Sequence, residues 1–375
     1  MPRMTRPRSA PSAASPSLPP RRPHRPRPLR RLAPGAPGAG AFALAAFCAL
    51  IWAQAERPVR AAAPAPSSRQ LIQPSKDALA LAEQVRARWM GVDHGGNLWA
   101  WEALEGSVRF FTPAAERLPT IGVPLDASAV DGDARWGAVA LTPLTGPGGE
   151  GRVLVWVRPG GAPGKHEEVV LPTPASWVCW IDEDTVALSP RRTAHRVETW
   201  SLRQRKLVRS LGSEHEIKLA PGATREREVL LRYDASRRLL FTLETFTGDL
   251  QVLSLDGKVA WRAKLDDPYR KVEEKTLADL DERAKTRDMA LGQTLSDLWL
   301  AEGPDGTAWV SQRIDMLDKS VGLVRASAAG TAAEKVSKLR CPSKTFTIWG
   351  SHLVFFRDIA SPREVCNDVV SLPEQ

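Results

Sequence analysis

A chain of 375 residues exceeds what one small core needs, yet all-β domains of roughly 200–300 residues are common, so one main domain suits the length. The formal charge of +9 would suggest a nucleic-acid or anionic-membrane partner if it were spread over the body. It is not: nine arginines (Arg3, Arg6, Arg8, Arg21, Arg22, Arg25, Arg27, Arg30 and Arg31) lie in residues 1–55 with no lysine or acid, and the remainder carries 43 basic against 43 acidic residues, which excludes a uniformly basic body that grips a duplex by its phosphates.

In chain order, residues 1–55 read as a basic leader followed by an apolar signal or anchor. No charge occurs between Arg31 and Glu56, and Gly38 to Ala55 (GAGAFALAAFCALIWAQA) is an apolar run that ends small-x-small at Ala53-Gln54-Ala55. That grammar describes a secretory signal. At this length an uncleaved membrane anchor with its C-terminal side exported is the alternative. The expected location is periplasmic or extracellular, with residues 38–55 as a possible inner-membrane attachment. Phe47 is too bulky to precede a lipidated cysteine, so Cys48 is not expected to carry a lipid. Residues 56–76, rich in Ala, Pro and Ser, read as a tether.

Residues 77–375 read as the folded body. Short alternating apolar runs separated by Gly, Asp, Pro and Ser predict many strands and few helices. One device recurs: a turn opens an apolar strand in DHGGNLWAWEAL (from Asp93), VDGDARWGAVAL (from Val130), IDEDTVALSP (from Ile181), YDASRRLLFTLE (from Tyr233), GPDGTAWVS (from Gly303) and IWGSHLVFF (from Ile348). With Gly96, Asp133, Asp184, Ser236, Gly306 and Ser351 as the turn positions, the steps are 37, 51, 52, 70 and 45 residues. Most match four short strands and their turns, the size of a propeller blade. The 70-residue step contains Lys271 to Leu298, where Leu277, Leu280, Ala284, Leu291, Leu295 and Leu298 recur at helical spacing, so a helix is expected at about 271–298, inserted between blades 4 and 5.

A second hairpin follows each of the first five turns, as in TWSLRQRKLVRSL (from Thr199) and VLSLDGKVAWRAKL (from Val252). The last unit, ending EVCNDVVSLPEQ, has a third strand and no room for a fourth. A closed ring is therefore expected to borrow a strand from ALALAEQVRARWMGVD, ahead of the first turn. Asp93-x-x-Gly96-Asn97-Leu98-Trp99 and Asp305-Gly306-x-x-Trp309 resemble blade turns of exported bacterial six-bladed β-propellers, the group with NHL-type, streptogramin-lyase-like and TolB-like repeats. The resemblance covers roughly residues 85 to 372 and implies an all-β, six-bladed β-propeller. A β-sandwich and a seven-bladed ring are the competing architectures.

Most motif chemistry dissolves on inspection. Gly146, Gly148 and Gly151 spell G-x-G-x-x-G, but a strand is expected to follow instead of the helix that pyrophosphate binding needs. His24, His94, His166, His195, His215 and His352 are too scattered for a local metal motif. Asp131/Asp133 and Asp182/Asp184 offer oxygen ligands for calcium but suit turn capping better. Cys179 reads as a small buried apolar side chain, and Cys341 with Cys366, flanking the last hairpin, is the favoured disulfide of the three pairings open to the body's cysteines. Thirteen tryptophans, among them Trp99, Trp101, Trp156, Trp177, Trp180, Trp200, Trp261, Trp309 and Trp349 on expected strands, read as packing in the widening outer space between blades. An aromatic platform for carbohydrate or peptide is the sharper alternative.

No catalytic, cofactor-binding or metal-binding residue is assigned. The leading expectation is an exported noncatalytic propeller that binds an envelope protein or polymer, with no nucleic-acid partner and no cofactor. The alternative is a propeller lyase or lactonase-like hydrolase with a divalent cation such as calcium at the central channel, and a third is a structural envelope protein.

Overall fold

Among the described residues, from Trp89 to Ser371, the chain runs in 23 short strands, each antiparallel to its neighbours in the sheet. The computed structural model describes residues 72–144, 152–160, 165–191, 195–212, 229–245, 248–265, 298–315, 320–336, 343, 345–356 and 368–372, all within the second of two contact units, Ala61–Gln375. The apolar stretch 38–55, the glycines 146–151, the expected helix as far as residue 297, and Cys341 with Cys366 lie outside the described residues. Among the described residues no helix is long and apolar enough to cross a membrane.

Blade 1 is β1 (Trp89–Val92), β2 (Leu98–Glu102), β3 (Ser107–Phe111) and β4 (Arg117–Gly122). Blade 2 is β5 (Ala129–Asp133), β6 (Gly137–Pro143), β7 (Arg152–Val157) and β8 (Glu167–Leu171); blade 3 is β9 (Ala175–Trp180), β10 (Thr185–Pro190), β11 (Val197–Ser201) and β12 (Lys206–Leu211). Blade 4 is β13 (Val229–Asp234), β14 (Leu239–Glu244), β15 (Asp249–Ser254) and β16 (Val259–Lys264); blade 5 is β17 (Leu298–Glu302), β18 (Ala308–Asp315), β19 (Ser320–Ser327) and β20 (Gly330–Val336). Blade 6 has three strands among the described residues, β21 (Phe346–Trp349), β22 (His352–Phe355) and β23 (Asp368–Ser371). Each sheet is laid down in chain order. The first strands contact one another in sequence, β1 to β5, β9, β13, β17, β21 and back to β1, which makes a closed ring about an axis: a six-bladed β-propeller.

Burial follows distance from that axis. Second strands such as LWAWE (β2) and GAVALTP (β6) are buried on both faces, because each sheet lies between two others, and they read as unbroken apolar runs. Outermost strands have one neighbour and alternate, as in β16, or stand largely exposed, as in β12. The apolar contacts fill the spaces between blades, with Trp99 and Trp101 between blades 1 and 2, and Trp156, Trp180 and Trp200 between blades 2 and 3.

All six expected turns join the first and second strands of a blade. In the first four an aspartate supplies the closure. Asp93 accepts from Gly95 N and Asn97 N (both 2.8 Å), Asp133 from Arg135 N and Trp136 N (2.9 and 3.1 Å), Asp182 from Asp184 N and Thr185 N (2.9 and 2.8 Å), and Asp234 from Ser236 N and Arg237 N (2.8 and 3.1 Å). Gly96 and Gly306 occupy matching places in blades 1 and 5 with φ of 83° and 80°, where a side chain would be strained.

The borrowed strand is a correction. Trp89–Val92 is the inner strand of blade 1, and the preceding Ala-Leu run forms α1 (Lys76–Ala82), a short helix capped by Ser75 Oγ, which accepts from Ala78 N at 3.1 Å. Ser75 followed by Asp77 is a helix start, and the alternating Ala and Leu suit a helix as well as a strand. Among the described residues, hydrogen bonds tie blade 6 to blade 1. Trp349 Nε1 of blade 6 donates to Gly96 O of blade 1 (2.9 Å), and Gln73 Oε1 accepts from Ser351 N and Oγ (3.0 and 2.9 Å) while Ser75 N donates to Pro113 O (2.7 Å) in blade 1. Residues 73–75 thus strap blade 6 to blade 1.

Candidate functional site

Trp89, Trp177 and Trp299 stand at one depth in blades 1, 3 and 5, each four residues before the residue whose N–H closes its first turn (Asp93, Ile181 and Gly303). Their rings meet across the axis: Trp89 stacks on Trp177 at 4.9 Å and 25°, Trp177 meets Trp299 edge-on at 5.3 Å, and Trp89 lies 6.3 Å from Trp299. The centre of the ring is therefore plugged with aromatic surface. These three differ from the expected outer-space packing: an inner-strand side chain with this register faces the axis, where the space narrows and three indoles fill it.

Two residues nearer the turns, the alternation places Asp131 (opposite Val139), Cys179 (opposite Ala187) and Arg232 (opposite Phe241) at the next axial level. The Arg232 guanidinium lies over the floor, 5.6 Å from the Trp177 ring and 5.1 Å from the Trp299 ring. Its hydrogen bond goes to Leu231 O (2.9 Å). Glu302, the last residue of β17, and Tyr233 line the same cavity, and Asp93, His94, Asp234 and Arg237 form its rim. The cavity measures about 170 Å³ and opens on the side of the first turns.

The charges inside are unevenly satisfied. Asp93 is engaged by four protein donors, adding Asn97 Nδ2 and, from blade 2, Ala134 N (both 3.0 Å) to its turn amides. Burial still raises its carboxyl above the usual value. Arg237 donates to Asp234 (2.9 Å). His94 Nδ1 meets Asp133 Oδ2 at 2.8 Å across the seam between blades 1 and 2; burial opposes ionisation of Asp133, but His94 and the two turn amides together bring its carboxyl below the ordinary value. Asp131 accepts Trp180 N of blade 3 (2.7 Å), yet burial pushes it up to about 6 against that bond and the charges of Arg232 and His94. Burial pushes Glu302 up to about 7, with Arg232 acting against it and Asp234 and Asp131 with it.

Of the residues singled out by sequence, Asp131, Asp133, His94 and Cys179 come together here. Asp133 and Asp182 cap turns as expected; Asp131 instead faces the axis. Cys179 is buried, and burial followed by the Asp131 charge keeps it a thiol. His166 and His195 are exposed, and His352 begins β22 away from the cavity. Arg232, Tyr233 and Glu302 were missed. The available signal was local: LLRYD and LWLAEG each place a charge inside an otherwise apolar first strand just before a turn.

Among the described residues no three His, Cys, Asp or Glu side chains are grouped to hold one metal ion.

No family model matches the chain, and no curated protein matches it. Among solved structures it is similar to the β-propeller domain of Cps50 (Swd1) from Myceliophteria thermophila, at 11% identity and TM-score 0.44 over 77% of this chain and 98% of that one. It is also similar to a catalytically inactive virginiamycin B lyase from Staphylococcus aureus with quinupristin, at 10% identity and TM-score 0.41 over 71% and 75%. A functionally unknown protein from Desulfotomaculum acetoxidans follows at 14% and 0.38 over 68% and 70%. The blade count rests on the six sheets themselves.

Proposed function

We propose that this is an exported, noncatalytic β-propeller that binds an envelope protein or polymer at the open mouth of its channel. The observation that carries the reading is that charged and aromatic side chains from several blades line one axial cavity, among them Arg232, which also packs against the Trp177 and Trp299 rings. Residues 1–55 supply the export signal or anchor and 56–76 the tether in this reading, and no cofactor is assigned.

Two measurements test it. Residues 1–76 fused ahead of a reporter enzyme that is active only outside the cytoplasm should give activity; a cytoplasmic, inactive reporter removes the envelope role. The tagged full chain, incubated with solubilised envelope, should retain a defined partner that Tyr233→Ala, a change in the cavity lining, loses while its Tm stays within a few degrees of wild type. Equal retention by both proteins means that the mouth is not the docking point.

A further inference from the structure

We propose that the floor of the channel binds a small zwitterion of the α-amino-acid type, its carboxylate on Arg232 and its ammonium between Glu302 and Asp131. This rests on the binding-module reading and names the ligand class of that site.

Arg232 has donors to spare. A guanidinium carries five N–H groups, and the hydrogen bond of Arg232 to a protein acceptor runs to the adjacent Leu231 O. Its plane is steadied by the Trp177 and Trp299 rings, so the fork is held before a ligand arrives. Glu302 and Asp131, from blades 5 and 2, line the same cavity as Arg232, whose charge reaches both carboxyls through space. The three charges therefore surround a gap. The rim aspartates do not compete: Asp93 is occupied by four donors and Asp234 by Arg237, and Asp133, beside the rim, is held by His94 and the turn amides.

A ligand that satisfies this gap brings one carboxylate and one ammonium. A simple anion would face two carboxylates, and a simple cation would meet the guanidinium. Size points the same way. An engineered cavity of ~150 Å³ holds a benzene-sized molecule, and 170 Å³ suits an amino acid as small as alanine, with the open mouth leaving room for a longer side chain to trail outward.

Isothermal titration of the full chain with L-alanine, sodium acetate and ethylammonium chloride tests this. L-Alanine should bind at least tenfold more tightly than acetate or ethylammonium. Arg232→Gln should weaken L-alanine at least tenfold and Glu302→Gln severalfold, with Arg232→Lys between wild type and Arg232→Gln. Should Arg232→Gln fail to fold, saturation-transfer NMR on the wild-type chain, with acetate and ethylammonium as competitors for L-alanine, gives the same ranking. Acetate equal to alanine, ethylammonium equal to alanine, or no binding by any of the three overturns the proposal. A blank titration with the envelope partner still captured overturns this inference alone, whereas alanine binding without Tyr233-dependent capture supports this inference and removes the docking role.

Discussion

At the scale of single residues, the acid with most to reveal is Glu302, because its ionisation is set by burial in a cavity that also holds Arg232. An ordinary glutamate has a pKa of 4.5, and in the folded chain Glu302 is pushed up to about 7. The folded state therefore holds this proton more tightly than the unfolded state. The stability that goes with the protonated form is fully present below 4.5 and is lost as pH rises through about 7. Glu302→Gln keeps the shape and removes the titration. Relative to this variant, the wild-type chain should lose on the order of 1–2 kcal/mol between pH 5 and pH 8, less than a sealed site would give because water reaches the cavity. Urea unfolding of both proteins across that range checks it. A constant difference between them would mean that the carboxyl ionises as freely in the fold as outside it.

At the scale of elements, the first turn of each blade is where sequence and structure agree best, and the reason is local. An aspartate that caps backbone amides two to four residues on, with a glycine at positive φ, closes its turn with residues of that turn. Asp93 with Gly96 shows this in the five residues Asp93 to Asn97. α1 was not legible in the same way. Its Ala-Leu run satisfies both a helix and a strand, and its start depends on Ser75, inside what reads as a tether. Gly306 turns the argument into a measurement. Its φ is 80°, and an added Cβ would stand 2.9 Å from the Arg237 side chain, which is already engaged by Asp234. Gly306→Ala should cost about 1–2 kcal/mol from the left-handed backbone alone. Ala332→Gly, at an exposed place on outer strand β20 of the same blade, should cost less than about 1 kcal/mol. Thermal unfolding of the two variants side by side tests the ranking, and equal losses would remove the special role of the turn.

For the whole molecule, closure of the ring creates what no segment contains. Arg232 and Glu302 are 70 residues apart in sequence, and Asp131 is 101 residues from Arg232; only the cyclic order of the first strands sets all three about one cavity. The six-unit architecture was legible because it repeats, and the site was not, because each blade contributes a different side chain to it. The tryptophan floor belongs to the same category. Trp89, Trp177 and Trp299 come from alternate blades and pack only because the ring brings them together, so they link blades that do not touch through their sheets. Trp89 also meets Trp101 at 5.1 Å, coupling the floor to the space between blades 1 and 2. Removing it should therefore loosen the assembly, not one hairpin. Trp89→Ala is expected to cost ~3 kcal/mol, the low end for a large aromatic because Trp89 is only half-buried. Trp261→Ala supplies the contrast: that ring is also half-buried, on outer strand β16, and has one aromatic neighbour, Phe241 at 6.2 Å. It should cost about 1 kcal/mol, since the loss stays on one outer strand. Hydrogen exchange separates the two mechanisms. Trp89→Ala should raise exchange in first strands of several blades at once, whereas Trp261→Ala should raise it in blade 4; exchange confined to blade 1 in Trp89→Ala would show that the indoles fill the axis without holding the blades together.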